Sequence, residues 1–414
     1  MIKKKMRCLI FLVIAIVALI SFCHKPLPVP KPVTLLQPPD AMTLRQQIVQ
    51  LCWCGVSEAT GYNIQISKKS NFSSPIVDSV LTDTLLTIEL TDAKYFWRVR
   101  AQSRDSVWGE WSETWSFRIE RYRVVSSIKT YGYAHDVFVD DPYAYIADGQ
   151  AGLTIVDIEE PSSPTFVANI MDTTHEAWGV VVEEDYAYVA YGSMELWIVD
   201  VSDLDSLYVI GSLSYPTPAS GYDICVRDSL DYIAAMSQFI IASIADPRYP
   251  DLLFQDLFPA NVRGVALIDS FALIACEQLG IYIYNIQNPR NANIVAWFDT
   301  PGNARDVFCQ DSFAFVADGS EGLIVVNIKD KRTPTLVTTL DLPGYARKIS
   351  IVDNWLYIAL GDSGLGVIDI TNPKAPKLEA IVKTGYAYSV FATEDYIYVA
   401  CGRDGLKIIK KEGK

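Results

Sequence analysis

Apolar and polar residues alternate in short runs between residue 33 and about residue 120, as in Val49-Gln50-Leu51-Cys52-Trp53, Tyr62-Asn63-Ile64-Gln65-Ile66 and Tyr95-Phe96-Trp97-Arg98-Val99-Arg100-Ala101. A strand turns successive side chains to opposite faces, so Leu51 and Trp53 share one face, as do Tyr95, Trp97 and Val99. Such runs, separated by turn residues, predict an antiparallel sandwich with one face of each sheet inward. Beyond residue 120 the apolar runs recur at a longer interval. Aligned on the large apolar residue after an acidic turn, Tyr143, Tyr186, Leu230, Phe271, Phe313, Trp355 and Tyr396 stand 43, 44, 41, 42, 42 and 41 residues apart. Alanine follows four residues later in every copy (Ala147, Ala190, Ala234, Ala275, Ala317, Ala359, Ala400). An acid precedes by two (Asp141, Glu184, Asp228, Asp269, Asp311, Asp353, Glu394). The chain therefore holds seven copies of one structural unit.

Each copy parses into four strands. A first run such as Val137-Phe138-Val139 or Val307-Phe308-Cys309 reaches the acidic turn, where Asp tolerates left-handed geometry. The second run ends at the alanine. A glycine-rich bend follows, as in Asp148-Gly149-Gln150-Ala151-Gly152 or Asp318-Gly319-Ser320-Glu321-Gly322, then a third run, Leu153-Thr154-Ile155-Val156-Asp157 and its counterparts. A proline-bearing link (Pro161 to Pro164, Pro373 to Pro376) leads to the fourth, for example Leu336 to Leu340. Four strands in about 42 residues is the size of a propeller blade. The seventh copy stops at Lys410 without a fourth strand, whereas Val124 to Tyr133, ahead of the first copy, matches Leu336 to Tyr345 place for place. Strand 124–128 is therefore expected to complete the last blade and remove the open edges. The predicted architecture is all-β: a small β-sandwich over 33–120, then a seven-bladed β-propeller over 121–410.

The first unit resembles a fibronectin type III domain. The resemblance rests on a tryptophan on the second strand, a Tyr-x-Trp-x-Val-x-Ala strand that opens with a tyrosine corner at Tyr95, and the closing Trp111-Ser112-Glu113 segment. Trp97, Trp108, Trp111 and Trp115 are read as core and strand residues rather than a sugar platform, and the domain as a spacer or protein-contact module. The third-strand motif of the repeats and the proline pair after it resemble the LVIVD-repeat family of bacterial and archaeal surface proteins over residues 121–410. The second copy departs from that pattern, with Asp203-Leu204-Asp205-Ser206 where others carry proline. The resemblance implies an extracytoplasmic propeller and no particular reaction.

The N-terminus points the same way. Residues 1–22 combine a basic start (Lys3, Lys4, Lys5, Arg7) with the apolar run Cys8 to Phe22, too short for a membrane span, and read as a signal peptide. Ile20-Ser21-Phe22-Cys23 resembles a lipoprotein signal, which implies cleavage before Cys23 and its lipidation; Phe22 departs from the small residue usual there. A lipid anchor, an uncleaved N-terminal membrane anchor and simple secretion are the three outcomes. The linker 23–40 carries six prolines, Pro26, Pro28, Pro30, Pro32, Pro38 and Pro39, and is expected to be an extended spacer. The protein is thus expected to be exported, on the cell surface or in the periplasm. Its net charge of −14 disfavours nucleic acid as a partner. Of eight cysteines, Cys52 and Cys54 sit too far apart along one strand to bridge, and Cys225, Cys276, Cys309 and Cys401 fall in different repeats, where buried free thiols are expected.

Candidate chemistry is sparse. The three histidines are His24, His135 and His175, and neither zinc spacing nor a calcium loop is found, so no metal and no cofactor is expected. Gly361-Asp362-Ser363-Gly364 echoes a protease nucleophile motif but occupies the slot of the glycine-rich bend, and the acids before each anchor recur once per copy; no catalytic residue is assigned. One ring stands out. His135, Trp178, Tyr222, Arg263, Arg305, Arg347 and Tyr388 begin the first strands, followed by Asp136, Gly179, Asp223, Gly264, Asp306, Lys348 and Ser389. First strands line a propeller's channel, so the ring is expected to crowd one mouth. Its arginines and aromatics either grip an anionic or sugar-like ligand or pair with Asp of the neighbouring blade and hold the ring. The function expected is non-enzymatic binding of an envelope protein or an extracellular glycan through a propeller face. The alternative is an extracytoplasmic hydrolase or lyase acting on a saccharide or lactone at the channel mouth.

Overall fold

A computed structural model describes residues 29–171, 175–192, 195–215 and 220–412. The signal segment, Cys23 and His24 lie outside the described residues. Among those described, no helix is long and apolar enough to cross a membrane. The chain divides into two compact units between Glu120 and Arg121.

The first unit is two sheets around one core. Leu35–Gln37, Ile48–Trp53 and Leu85–Glu89 form the smaller; Met42–Leu44, Trp115–Ile119, Lys94–Ser103, Ala59–Ser67 and Val77–Leu81, in that order, form the larger. Alternation does what it predicts: Leu51, Trp53, Ile64, Tyr95, Trp97 and Val99 are buried together. The Tyr95 hydroxyl donates to the Thr91 carbonyl at 3.0 Å. The other tryptophans divide. Trp115 meets Trp97 edge-on at 6.3 Å, whereas Trp108 and Trp111 lie outside the core. The Arg98 guanidinium stands 4.3 Å from the Trp111 ring, and that of Arg100 stands 4.4 Å from Trp111 and 4.9 Å from Trp108. These rings are held by cation–π contact rather than by apolar burial.

The second unit is built from four-stranded antiparallel sheets, seven among the described residues. Six are meanders of consecutive strands. In the seventh, Ser389–Ala392, Tyr396–Ala400 and Leu406–Lys411 are joined by Tyr122–Ile128, with Leu406 opposite Ile128 and Lys407 opposite Ser127. First strands of successive sheets lie side by side: Asp136–Asp140, Ala177–Glu183, Gly221–Arg227, Gly264–Ile268, Asp306–Gln310, Ile349–Val352 and Ser389–Ala392, the last lying beside the first. The fourth strands face outward, and each pairs with an irregularity in register at the same place, for instance between Ile155 and Val156 or Val325 and Val326. A bulge there twists an exposed edge away from edge-to-edge pairing.

Local sequence explains the hairpins. Glu184, Asp228, Asp269, Asp311 and Asp353 take φ of 54°, 54°, 50°, 53° and 54°, the left-handed geometry a two-residue connection demands. The seven repeat alanines are completely buried, where a larger side chain has no room. The six described cysteines are free. Cys276 and Cys401 are buried, but Cys225 and Cys309 are only half-buried, contrary to expectation, because both project into the axial channel.

Candidate functional site

The backbone places the ring before any side chain acts. The N–H groups of His135, Arg263, Arg305, Arg347 and Tyr388 donate to the carbonyls of the repeat alanines Ala147, Ala275, Ala317, Ala359 and Ala400 at 2.7–2.9 Å. The residue before five of the ring positions also bridges to the bend of the preceding sheet: Ala134 to Gly402, Ala177 to Gly149, Ala304 to Glu277, Ala346 to Gly319 and Ala387 to Gly361. His135, Arg305, Arg347 and Tyr388 are therefore fixed both to their own sheet and to its neighbour. All seven, His135, Trp178, Tyr222, Arg263, Arg305, Arg347 and Tyr388, line one cavity of about 920 Å³, together with Tyr131, Tyr133, Met171, Glu176 and Arg403.

Within it the side chains form a belt. His135 stacks on Trp178 with centroids 3.9 Å apart; Trp178 meets Tyr222 edge-on at 5.6 Å; the Arg263 guanidinium lies 3.8 Å over the Tyr222 ring. On the other side His135 meets Tyr388 edge-on at 5.5 Å, Tyr388 exchanges a 2.6 Å hydrogen bond with Tyr133, and Arg347 lies 4.6 Å over the Tyr388 ring. Glu277 joins two arginines: Oε1 accepts from Arg263 Nε at 2.6 Å and from Arg305 Nη1 at 3.2 Å, while Oε2 accepts from Asn261 at 3.0 Å. The belt stops between Arg305 and Arg347. Among the described residues Arg347 has no carboxylate partner; its Nη1 donates weakly to the Tyr386 hydroxyl at 3.4 Å, and its buried Nε donates to nothing. The pairing anticipated with an Asp of the neighbouring sheet is made across sheets by Arg305 alone, and to a glutamate; Arg263 pairs with the same Glu277 within its own sheet.

One residue further along the first strands the channel is closed. Asp136, Asp223 and Asp306 accept the backbone N–H of Val180, Val265 and Ile349 in the next sheet at 3.1, 3.0 and 2.8 Å. Gly179 and Gly264 stand between them, and a Cβ on Gly264 would come within 2.7 Å of Asp306 Oδ1. Small residues alternate with acids because the axis has no space for seven side chains. Lys348 fills the centre, 2.5 Å from Asp223 Oδ1 and 3.8 Å from Asp306 Oδ1, and Ser389 donates to Asp136 at 2.5 Å.

Electrostatics separate mouth from plug. Burial, then the nearby Arg347, pushes His135 down to about 4, so at neutral pH it is an uncharged aromatic face. Burial and the neighbouring Arg263 and Arg347 press on Arg305. In the plug, burial raises Asp136 and pushes Asp306 up to about 7. Burial opposes the charge of Lys348, yet Asp223, Asp306 and Asp136 together raise its pKa above the usual lysine value.

Similarity to known proteins follows the repeats. The LVIVD repeat matches residues 131–172, 175–214, 301–341, 343–384 and 384–409. The chain carries LVIVD repeats. No curated protein matches it. Solved structures similar to it include the computationally designed Ika8 protein (7% identity, TM-score 0.52, covering 92% of this chain and 98% of that one). The WD40 β-propeller domain of Doa1 is another (12%, 0.58, 70% and 97%). So is the β-propeller domain of Cps50 (Swd1) from Myceliophteria thermophila (9%, 0.57, 70% and 99%). Likeness at such identity speaks for fold alone: the LVIVD repeats build a β-propeller, a repeat scaffold suited to binding.

Sequence reasoning missed Glu277. Cys276-Glu277-Gln278-Leu279-Gly280 occupies the slot of Asp148-Gly149-Gln150-Ala151-Gly152, so Glu277 stands, at φ 39°, where five of the other six copies have glycine and the third has Met236. A non-glycine residue in a left-handed slot was the readable signal.

Proposed function

We propose that this is an exported, non-enzymatic binding protein of the cell surface or periplasm. Its LVIVD repeats form a seven-bladed propeller closed by strand 124–128, behind a fibronectin type III-like spacer. The seven four-stranded sheets among the described residues, with the last first strand lying beside the first, support the blade count, and the Tyr95 corner with its three-plus-five-stranded sandwich supports the spacer.

The channel mouth receives an acidic glycan. The observation that carries this is the break in the belt, where Arg305 and Arg347 face the cavity with no carboxylate between them, in a cup also lined by the stacked pair His135 and Trp178 and by the Tyr222 ring set edge-on to it. Arginine binds carboxylate through two parallel hydrogen bonds, and aromatic faces take the apolar faces of sugar rings. A concave cup of this size suits a chain of sugars better than a folded protein surface.

Screening the full exported chain against acidic glycans, neutral glycans and envelope proteins tests the reading. Acidic glycans are expected to be retained, and joint charge reversal of Arg263, Arg305 and Arg347 to Glu to abolish retention. Retention of an envelope protein alone, or of glycans by the reversed variant, refutes the assignment.

A further inference from the structure

The same strands open a second cavity at the other end of the axis. Three residues after the mouth ring come Phe138, Val181, Cys225, Ala266, Phe308, Ser350 and Phe391, every one half-buried, whereas the residues between the two rings are buried except for Lys348. They wall a cavity of about 340 Å³, within the range of small-molecule sites. The wall is lopsided. Phe138 and Phe391 meet edge-on at 5.0 Å, while Val181, Cys225 and Ala266 are short, leaving the open volume on their side.

Its floor is the underside of the plug: Asp136, Asp223, Asp306 and Lys348 all line this cavity. Three carboxylates there share one ammonium. Asp136 and Asp223 have both oxygens engaged, by Ser389 and the Val180 N–H, and by Lys348 and the Val265 N–H. Asp306 is held more loosely by the ammonium. Its carboxylate accepts the N–H groups of Ile349 and Val307, while Oδ1 lies 3.8 Å from Lys348, beyond hydrogen-bond reach. Burial and the neighbouring Asp223 raise the Asp306 pKa, and Lys348 with the two backbone donors offsets this only in part, leaving the floor with one ammonium for three carboxylates. Apolar walls over a floor with more carboxylates than ammonium groups define a ligand with a matching division.

We propose that this cavity binds an ammonium carried on an apolar body, with its alkyl or aryl part against Val181, Cys225 and Ala266 and an N–H directed at Asp306 Oδ1. The plug separates this site from the mouth, so it does not depend on the glycan reading.

Calorimetric titration of the full chain at pH 8 with hexylammonium, hexanol and hexanoate tests it. Hexylammonium is expected to saturate one site about tenfold more tightly than hexanol, the usual gain of a charge-assisted hydrogen bond, with no saturable binding of hexanoate. Ala266→Phe should fill the cavity and abolish binding. Asp306→Asn keeps an acceptor for the Ile349 N–H and should bring the amine down to the affinity of the alcohol. Arg347→Ala should change nothing. Should Ala266→Phe fail to fold, peptide-resolved maleimide labelling of the wild type serves instead: hexylammonium should slow modification of Cys225 and Cys309 several-fold and leave Cys54 unaffected. Equal affinity for amine and alcohol, binding that survives in folded Ala266→Phe, or unprotected Cys225 and Cys309 overturns the proposal.

Discussion

The two rings that the first strands carry stand three residues apart and have opposite chemistry. At the mouth, Tyr388, His135, Trp178 and Tyr222 form one arc and Arg263, Arg305 and Arg347 the other, with polar neighbours such as Glu277 between them. At the far end, Phe138, Phe308 and Phe391 face Val181, Cys225 and Ala266. The backbone beneath them is nearly uniform: Val137, Val180, Ile224, Val265, Val307, Ile349 and Val390 are all buried between the rings. Fold constraints therefore act on the buried positions and leave the two channel ends free to diverge. The plug keeps them apart.

The plug is where that separation breaks most easily. Lys348→Met leaves Asp136, Asp223 and Asp306 crowded without a counter-charge, and a partly buried ion stripped of its partner costs about 3–5 kcal/mol. Urea denaturation is expected to show that loss; a change under about 1 kcal/mol would mean that the axial cluster is not holding the sheets.

Acidification sharpens the contrast, because mouth and plug respond in opposite senses. His135 titrates near 4 in the fold and near 6.5 when unfolded, so the unfolded chain takes the proton first and stability falls as pH drops from about 6.5 to 4. Asp306 holds its proton up to about 7 in the fold but only to about 4 when unfolded, so its contribution grows as pH falls from 7 toward 4, with Asp136 acting in the same direction. Each effect is about 1–3 kcal/mol. His135→Gln should therefore remove a loss on acidification, and Asp306→Asn should steepen it. Parallel pH–stability profiles for the two variants would contradict the layered electrostatics.

Smaller effects test the scaffold beneath. Ala317→Leu overpacks a fully buried site whose carbonyl holds the Arg305 N–H, at a cost of about 1–3 kcal/mol and a visible fall in Tm. Glu277→Gly relieves a left-handed residue and frees Arg263 and Arg305. Stability should move by only about 1 kcal/mol while acidic glycans bind more tightly. Unchanged glycan binding would place Glu277 outside the site.

Most of the repeat geometry was legible because it is periodic. The alanine of each second strand, the acid of each turn and the residue that opens each first strand can be aligned by eye, and the seven mouth residues follow by register. Partnerships across sheets were not legible. Lys348 reaches Asp223 across 125 positions, and Glu277 reaches Arg305 across 28, distances at which no local pattern operates. The half-exposure of Cys225 and Cys309 was hidden for a related reason: apolar strand positions look alike whether they face a core or a channel. In the sandwich, Trp108 and Trp111 look like core residues until Arg98 and Arg100 are placed over them.

The mouth can be tested most directly by titrating oligogalacturonate into the wild type and into Arg347→Ala, at low and high salt. Expected is saturable, salt-weakened binding to the wild type, about tenfold weaker in Arg347→Ala, with neutral dextran of equal length silent. Equal binding by the two proteins, or dextran bound as well as oligogalacturonate, would contradict a cationic, aromatic cup built to hold an acidic sugar.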